Sequence, residues 1–206
     1  ELNGATVLPG FINSHDHLDF NLYPALGNPP YSSYVQWGKD IQSRFAAEIH
    51  AVQQVPQPLQ VRWGQYKNVL NGFTTVVNHG ARLAAENEPA QVYQDCDCLH
   101  SPAFEKNWRL KLNRPFRRKP VVIHAGEGTD KAAHDEISAL TRANFFRRTL
   151  IAVHGVAMDA EQARSFAAVV WCPASNYFSL GKTADIAALR QQTRLLFGTD
   201  STLTAS

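Results

Sequence analysis

The residues best suited to chemistry are four histidines and one aspartate that follow short apolar runs. His15 and His17 are two positions apart, so in a strand both imidazoles point to the same face and can reach one ion. His124 follows VVI, His154 follows LIAV, and Asp200 follows LLFGT. One histidine after an apolar run is usually structural, but this set arrives from four strand ends. It therefore indicates a site for a borderline-soft metal ion.

The elements that must position these residues are short apolar runs separated by helical patterns. Near-continuous apolar runs of this kind predict strands of a parallel sheet covered by helices. They occupy residues 7–17, 74–78, 121–125, 150–154, 168–172 and 195–198, and a weaker run occupies residues 91–99. Strand-then-helix order predicts right-handed crossovers. Because all strand carboxyl ends of a parallel barrel meet at one mouth, the polar residues favour a (β/α)8 TIM-type barrel over an open doubly wound sheet.

Helical periodicity fills the intervals between the strands. Apolar residues recur at positions 41, 45, 49 and 52, and a second helix is predicted over residues 59–71, before Gly72. A stripe at positions 133, 137 and 140 follows Asp130, and a short helix is predicted over residues 185–192. Asp159 with Gln162 three residues later resembles a capping box.

Two segments interrupt this rhythm. Residues 21–34 are rich in proline, glycine, serine and tyrosine and are predicted to form a surface loop, which could supply lid residues such as Tyr23, Tyr31 or Trp37. Residues 106–119 carry seven lysines or arginines and are predicted to form a solvated helix and loop. No phosphate loop or dinucleotide fingerprint appears in the sequence.

Composition sets limits on the class of protein. The 206 residues are 44% apolar, which suits one domain, and 20 basic against 18 acidic residues give no argument for nucleic acid or a membrane surface as partner. Three cysteines, at positions 96, 98 and 172, indicate reduced, cytoplasmic usage, and the lone C-x-C pair is weak evidence for a metal site. The first residues show no signal peptide, and the chain begins without methionine, so we expect it to be part of a longer protein.

Five sequence blocks carry a resemblance to a known family. VLPGFINSHDHL, HAGE, VHG, CPASN and FGTDS occur in this order between residues 7 and 201. Together they resemble the amidohydrolase superfamily, in its cytosine/guanine deaminase and triazine chlorohydrolase branch. The resemblance implies a (β/α)8 barrel over residues 11–206, incomplete at its carboxyl end, because such barrels typically need about 250 residues. It also implies a small β-sandwich domain, of which residues 1–10 would be a remnant.

The resemblance also implies a role for each matching residue. The metal ligands would be His15, His17, His124 and Asp200. His154 would contact the substrate or the bound water, and Glu127 would shuttle protons. Ser175 and Asn176 match the PASN block and would support the site. His79 and His100 are candidate substrate-binding residues, because each stands near the end of a strand-like run or beside one.

The implied reaction is hydrolysis at an electron-poor ring carbon. A bound divalent ion, zinc or else ferrous iron, would lower the pKa of a coordinated water from about 15.7 to roughly 7. One ion is expected, because no lysine ends a strand-like run between residues 80 and 120, where binuclear members carry a bridging lysine. Deamination of a nucleobase-like heterocycle ranks first. Dechlorination of a triazine, hydrolysis of a cyclic amide and a catalytically silent barrel are the alternatives. The expected partner is a small heterocyclic molecule, with a homodimer as a possible assembly.

Overall fold

The computed structural model describes residues 4–84 and 88–204, which form eight parallel strands and eight α-helices. The strands are β1 (Phe11–Asp16), β2 (Phe73–Asn78), β3 (Gln91–Tyr93), β4 (Asp97–Leu99), β5 (Val121–Ala125), β6 (Leu150–His154), β7 (Ala168–Trp171) and β8 (Arg194–Phe197). The helices are α1 (Tyr34–Arg44), α2 (Ala46–Gln53), α3 (Gln57–Leu70), α4 (Trp108–Leu112), α5 (Lys131–Arg142), α6 (Ala160–Ala163), α7 (Pro173–Leu180) and α8 (Ile186–Leu189). Two 3-10 turns occupy Leu18–Phe20 and Thr202–Thr204.

The strands lie in two parallel sheets. One sheet has the order β1-β2-β3 and the other has the order β4-β5-β6-β7-β8. The sheets meet where the backbone N–H groups of Thr199 and Asp200, just after β8, donate to the carbonyl of His15 in β1 over 3.2 and 3.0 Å. The predicted α/β class with parallel strands is confirmed. Among the described residues the strands form these two ladders and not one closed barrel ladder.

The region between β2 and β5 departs from the regular alternation. The single strand predicted over residues 91–99 is wrong, because β3 and β4 are separate strands of three residues each. The side chain of Gln94 lies between them and bonds both backbone groups of Leu83, accepting from its N–H at 2.8 Å and donating to its carbonyl at 3.0 Å. This interaction turns the chain away from the ladder after β3 and explains the break.

Most helix predictions are confirmed, with one correction. The stripe at positions 41–52 is divided between α1 and α2, because the chain breaks at Phe45, whose φ of −117° and ψ of 28° are not helical. Asp130 caps α5 by accepting from the N–H of Ala133 at 2.9 Å. Asp159 and Gln162 form the predicted capping box at the start of α6.

The segment over residues 21–34 is packed more deeply than a surface loop. Tyr23, Leu26 and Tyr31 are buried within it, so the prediction of a simple exposed loop is wrong. Its backbone is bonded to the turn after β5, since the N–H of Tyr34 donates to the carbonyl of Glu127 at 3.1 Å. The segment is therefore packed by its aromatic side chains, and backbone hydrogen bonds pair its buried polar groups. Its composition alone predicts exposure to solvent.

The main apolar core surrounds β5 and β6, whose residues pack against α5. Val121, Ile123, Ile137, Leu140 and Leu150 are almost completely buried there. In residues 4–10 the structure shows no regular strand, and residues 1–3 lie outside the described part, so the sandwich remnant stays a prediction. None of the helices in the described ranges is long and apolar enough to cross a membrane.

Candidate metal centre

The five residues singled out for metal chemistry converge at the carboxyl ends of the strands. The Nε2 atoms of His15 and His17 lie 3.6 and 3.8 Å from Asp200 Oδ1. The Nε2 atoms of His17 and His124 are 3.4 Å apart. His154 Nε2 lies 4.0 Å from Asp200 Oδ2. Strands β1, β5 and β6 and the turn after β8 therefore bring their polar ends to one place, as the sequence predicts.

The orientations of His124 and His154 are set by bonds on the far side of each ring. The Nδ1 atom of His124 lies 2.6 Å from the carbonyl oxygen of His100, and the Nδ1 atom of His154 lies 2.8 Å from Asn176 Oδ1. Since a carbonyl oxygen can only accept, each Nδ1 carries the proton. Each Nε2 therefore presents a lone pair to the cluster, which is the tautomer a metal ligand needs.

Backbone conformation at two of these positions is unusual. His154 and Asp200 have φ angles of 73° and 62°, in the left-handed region that non-glycine residues rarely adopt. Such a conformation costs on the order of 1–3 kcal/mol and persists where surrounding structure holds it, often at a functional site. Here it turns both side chains from the strand direction toward the cluster.

The cluster has the donor set and the unsatisfied atoms that a metal ion would require. Two groups of three ligand atoms lie within 4.8 Å of one another, namely His15, His124 and His154, and His15, His17 and Asp200. Both nitrogens of His15 and the Nε2 of His154 are buried without a hydrogen-bond partner. Burial lowers the pKa of His15 to about 4 and that of His124 well below its usual value, so these imidazoles are neutral at pH 7. Neutral nitrogens beside one carboxylate fit a divalent cation.

Asp200 is held in place by two hydroxyl groups. Ser175 Oγ donates to Asp200 Oδ2 at 2.7 Å, and Thr204 Oγ1 donates to the same oxygen at 3.1 Å. Burial opposes ionisation, yet the contact with His15 and the neighbouring imidazoles hold the pKa of this carboxyl well below its usual range. Asp200 is therefore ionised, with Oδ1 directed to His15 and His17. The PASN block thus supports the cluster twice, through Ser175 and through Asn176.

Glu127 lies beside the cluster in a different electrostatic state. Its Oε2 is 3.6 Å from His154 Nε2. Burial raises the pKa of Glu127 to about 7, and the charges of Asp200 and Glu136 act in the same direction, while His154 opposes them. A carboxyl group that titrates near neutral pH can both take up and release a proton, which is the property needed in a proton shuttle.

Sequence reasoning missed a half-buried carboxyl group whose charge acts on Glu127. Glu136 in α5 accepts from the N–H of Gly126 at 3.1 Å and from the hydroxyl of Tyr34 at 3.1 Å. Burial raises the pKa of Glu136 to about 7. Its position in the sequence was the available signal, because Glu136 lies on the apolar face of α5 beside Ala133 and Ile137. Most glutamates lie on solvated helix faces, so a glutamate on an apolar face indicates a special environment.

Sequence reasoning also missed a polar network around Asp16, the residue between the two histidines of β1. Asp16 is fully buried, and its oxygens accept from Asn21 at 2.6 Å and from Asn68 at 2.7 Å. Lys67 Nζ lies 3.4 Å from the same carboxylate, and Thr199 Oγ1 lies 3.2 Å from it. This network joins β1, α3 and the turn that carries Asp200, so it fixes their relative positions.

The two candidate substrate-binding histidines occupy different places. His79 is buried, and its ring packs against the rings of His124, His15 and His17, with centroids 4.4, 5.0 and 5.3 Å apart. His100 reaches more open space, and it lies on two cavities of about 380 and 730 Å³. His79 also borders the smaller cavity, together with His17. Both positions are compatible with substrate contact, and their roles stay predictions.

The larger cavity includes part of the predicted lid. Tyr23 and Trp37 line it, whereas Tyr31 instead donates its hydroxyl to Asp40 at 2.6 Å. Phe20 also lines this cavity and stacks on His17 with ring centroids 5.2 Å apart. The cavity is therefore adjacent to the candidate metal centre through Phe20 and His100, and its walls are mainly apolar.

Solved structures share this fold. The chain resembles the Helicobacter pylori aminofutalosine deaminase in complex with methylthio-coformycin (TM-score 0.58, 15% identity, covering 95% of this chain and 64% of that one). It also resembles a triazine hydrolase from Arthrobacter aurescens (TM-score 0.59, 15% identity, 96% and 60% covered) and a mutant atrazine chlorohydrolase of that organism complexed with zinc and atraton (0.56, 14%, 96% and 60%). The chain thus spans 60–64% of the length of these structures.

At this identity the likeness shows the fold alone, and it agrees with the resemblance carried by the five sequence blocks. No protein-family model matches the sequence, and no curated relative matches it.

Proposed function

We propose that the chain belongs to the amidohydrolase superfamily and forms the metal-binding part of a hydrolase that acts on carbon–nitrogen bonds other than peptide bonds. The favoured reaction is deamination of a nucleobase-like heterocycle. The observation that carries this proposal is the convergence of His15, His17, His124 and Asp200, with Glu127 beside them, in the fold of a deaminase and two triazine-acting enzymes.

The residues around the centre supply the proton transfers that such a reaction needs. When bound, a divalent ion would supply Lewis acidity that lowers the pKa of a coordinated water. Asp200, which is ionised, accepts a proton from the attacking water. Glu127 titrates near neutral pH, so it protonates a ring nitrogen. The proton held by Asp200 then leaves with the amine, and Glu127 takes back the proton of the new hydroxyl group as the carbonyl forms. His154 presents its Nε2 lone pair toward Glu127 and Asp200 and orients the attacking water or the substrate.

We infer one ion per chain, with zinc favoured and ferrous iron as the alternative. Three imidazoles and a carboxylate suit either ion. Lys67 is a half-buried lysine, and its ammonium group is engaged with Asp16 and Thr199, which adjoin His15 and Asp200 in sequence. It is thus placed to neutralise a carboxylate and not to bridge two ions.

Dechlorination of a triazine is the second candidate, because two of the similar structures are those of a triazine hydrolase and an atrazine chlorohydrolase. It would use the same residues with chloride as the leaving group. Cyclic-amide hydrolysis is less favoured, since no bridging lysine is apparent. A silent barrel is less favoured because the ligand set is complete. A homodimer and a cytoplasmic location stay predictions from sequence.

Release of ammonia from a panel of aminopurines, aminopyrimidines and aminotriazines by the zinc-loaded protein would test the proposal. We expect ammonia from at least one class. Glu127→Gln should lower kcat by about 10²–10⁴-fold while leaving the bound zinc in place. Chloride release without ammonia would favour the second candidate. Neither product from fully zinc-loaded protein, over the whole panel, would contradict both.

A further inference from the structure

The C-x-C pair lies outside the chemistry described so far, yet its geometry is specific. Cys96 immediately precedes β4 and Cys98 lies within it. Their Sγ atoms are 3.6 Å apart, and both side chains are partly buried. The third cysteine, Cys172, is fully buried in an apolar cluster against which Cys96 packs, and no hydrogen bond joins it to either thiol of the pair. The two thiols therefore form a pair of their own, with sulfur atoms on the same side of the chain.

The separation of the two sulfurs matches the span of a metal chelate. Zinc–sulfur bonds of about 2.3 Å at a tetrahedral angle place two thiolates about 3.8 Å apart. The observed 3.6 Å is close to this value, so both sulfurs could bind one ion with little movement. A disulfide instead needs about 2.05 Å between sulfurs. Forming one here would require the backbone of residues 96–98 to distort.

The protonation of the pair also suits a cation. The two sulfurs are close enough for a hydrogen bond in which either thiol can donate, and this contact lowers the pKa of Cys98 to about 7 although burial opposes this. Cys98 Sγ also lies 3.8 Å from the carbonyl oxygen of Asn78, which accepts only from a protonated thiol, so an incoming cation has to displace protons from the pair. The charge of a dithiolate would then be balanced by a divalent ion.

The surroundings leave room for water to complete the coordination. Both cysteines line a cavity of about 200 Å³. The carboxylate of Asp97 is already engaged, because Arg148 donates to one oxygen at 2.7 Å and Arg117 lies 3.6 Å from the other. The protein would thus supply two soft ligands, and solvent would supply the rest.

We propose that Cys96 and Cys98 form a two-thiolate site for a thiophilic divalent cation, distinct from the histidine cluster and independent of the proposed hydrolase activity. Cys98 also borders the 380 Å³ cavity that contains His17 and His79. A cation held at Cys98 would therefore narrow the space that reaches the candidate metal centre.

Titration of the reduced protein with cadmium alone would test this proposal, because thiolate–cadmium charge transfer absorbs in the ultraviolet whereas imidazole and carboxylate ligands give no such band. We expect one thiolate-bound cadmium per chain, a band that persists in a His15→Ala/His17→Ala variant, and release of protons on binding. The band should be lost in Cys96→Ser and in Cys98→Ser, and retained in the matched control Cys172→Ala.

Protection of the thiols provides a second measurement that does not depend on absorption. Cadmium should slow the reaction of Cys96 and Cys98 with a chromogenic disulfide reagent in the wild-type protein and in Cys172→Ala. Circular dichroism of each variant would establish that it is folded. A band that survives Cys96→Ser, or thiols that react equally fast with and without cadmium, would overturn the proposal, as would a pair that isolates as a disulfide and regains no cadmium binding after reduction.

Discussion

The two sheets position their contributions to the metal centre in different ways. In the five-stranded sheet, β5 to β8 pair in unbroken register and present His124 and His154 at strand ends, with one supporting bond behind each ring. In the three-stranded sheet, the β1–β2 pairing contains register shifts on either side of residues 12 and 13. There, a network of side chains centred on Asp16 holds the strand that carries His15 and His17.

The difference shows two routes to a rigid site. A regular parallel ladder fixes side chains through its backbone, so each needs few further contacts. An irregular strand must be fixed by side chains, and a buried charged network is strongly destabilised when one member is removed. The β1 side should therefore tolerate mutation of its supporting residues less well than the β5–β8 side.

The largest effect should come from Asp16→Ala. Removing this carboxylate leaves Lys67 and four amide or hydroxyl donors without their shared acceptor, so we expect a loss of about 3–5 kcal/mol in the free energy of unfolding. The amount of bound metal should fall as well, since His15 and His17 stand on either side of Asp16. Urea denaturation and metal analysis would measure both effects. A loss below about 1 kcal/mol would remove the distinction between the two sheets.

A smaller effect is expected from Ser175→Ala on the regular side. The variant removes one of two hydroxyl donors to Asp200, and a hydrogen bond to a charged group contributes about 1.5–3 kcal/mol. Metal affinity should fall by about 10–100-fold, as for other groups that orient a ligand. Competition with a chelator of known affinity would measure it, with Ser43→Ala, an exposed serine, as the control.

Glu136→Gln should change the pH dependence of stability. The pKa of Glu136 is raised from its unfolded value of 4.5 to about 7, so the folded state binds the extra proton and the wild type loses stability as pH rises between these values. The variant keeps an acceptor oxygen for Gly126 and avoids this loss. At pH 8 the variant should be about 1–2 kcal/mol more stable than the wild type, a figure reduced for the screening of the carboxylate charge by solvent. Below pH 4.5 the two proteins should be equally stable. Thermal unfolding across this pH range would measure the difference, and equal stability at pH 8 would contradict it.

The smallest effect is expected at the exposed pair formed by Lys131 and Asp135 in α5. Asp135→Asn removes an i,i+4 ion pair whose side chains are largely in solvent. The free energy of unfolding should be unchanged within the error of the measurement, because solvent screens this pair. Urea denaturation beside Asp16→Ala would make this variant the reference for a carboxylate outside the site. A loss comparable to that of Asp16→Ala would indicate that carboxylate removal destabilises this chain without regard to position.

The regular sheet was the more predictable part of the molecule from sequence. Strands β5 and β6 have the predicted bounds, because continuous apolar runs ending in histidine have few other interpretations. Asp130 and Asp159 cap helices as their spacing indicates. The candidate metal ligands could be found because histidine and aspartate are rare after apolar runs, and the structure brings these residues together.

The irregular sheet could not be predicted to the same extent. Gln65 and Asn68 in α3 have the polarity of a solvated helix face, and only the packed structure shows that they are buried. The contact between Gln94 and Leu83 that interrupts β3 and β4 joins residues 11 positions apart and leaves no periodic signal. Side-chain networks of this kind depend on tertiary contacts, whereas strand and cap patterns are local.

Metal analysis by plasma emission tests the central claim most directly. The protein should be prepared with Cys96→Ser and Cys98→Ser, so that only the histidine cluster can retain a tightly bound ion. The account predicts one zinc or iron per chain, and loss of that ion when His15→Ala and His17→Ala are added while the fold is preserved. Absence of metal after reconstitution with zinc or ferrous iron, or an ion that remains in the histidine variant, would contradict it.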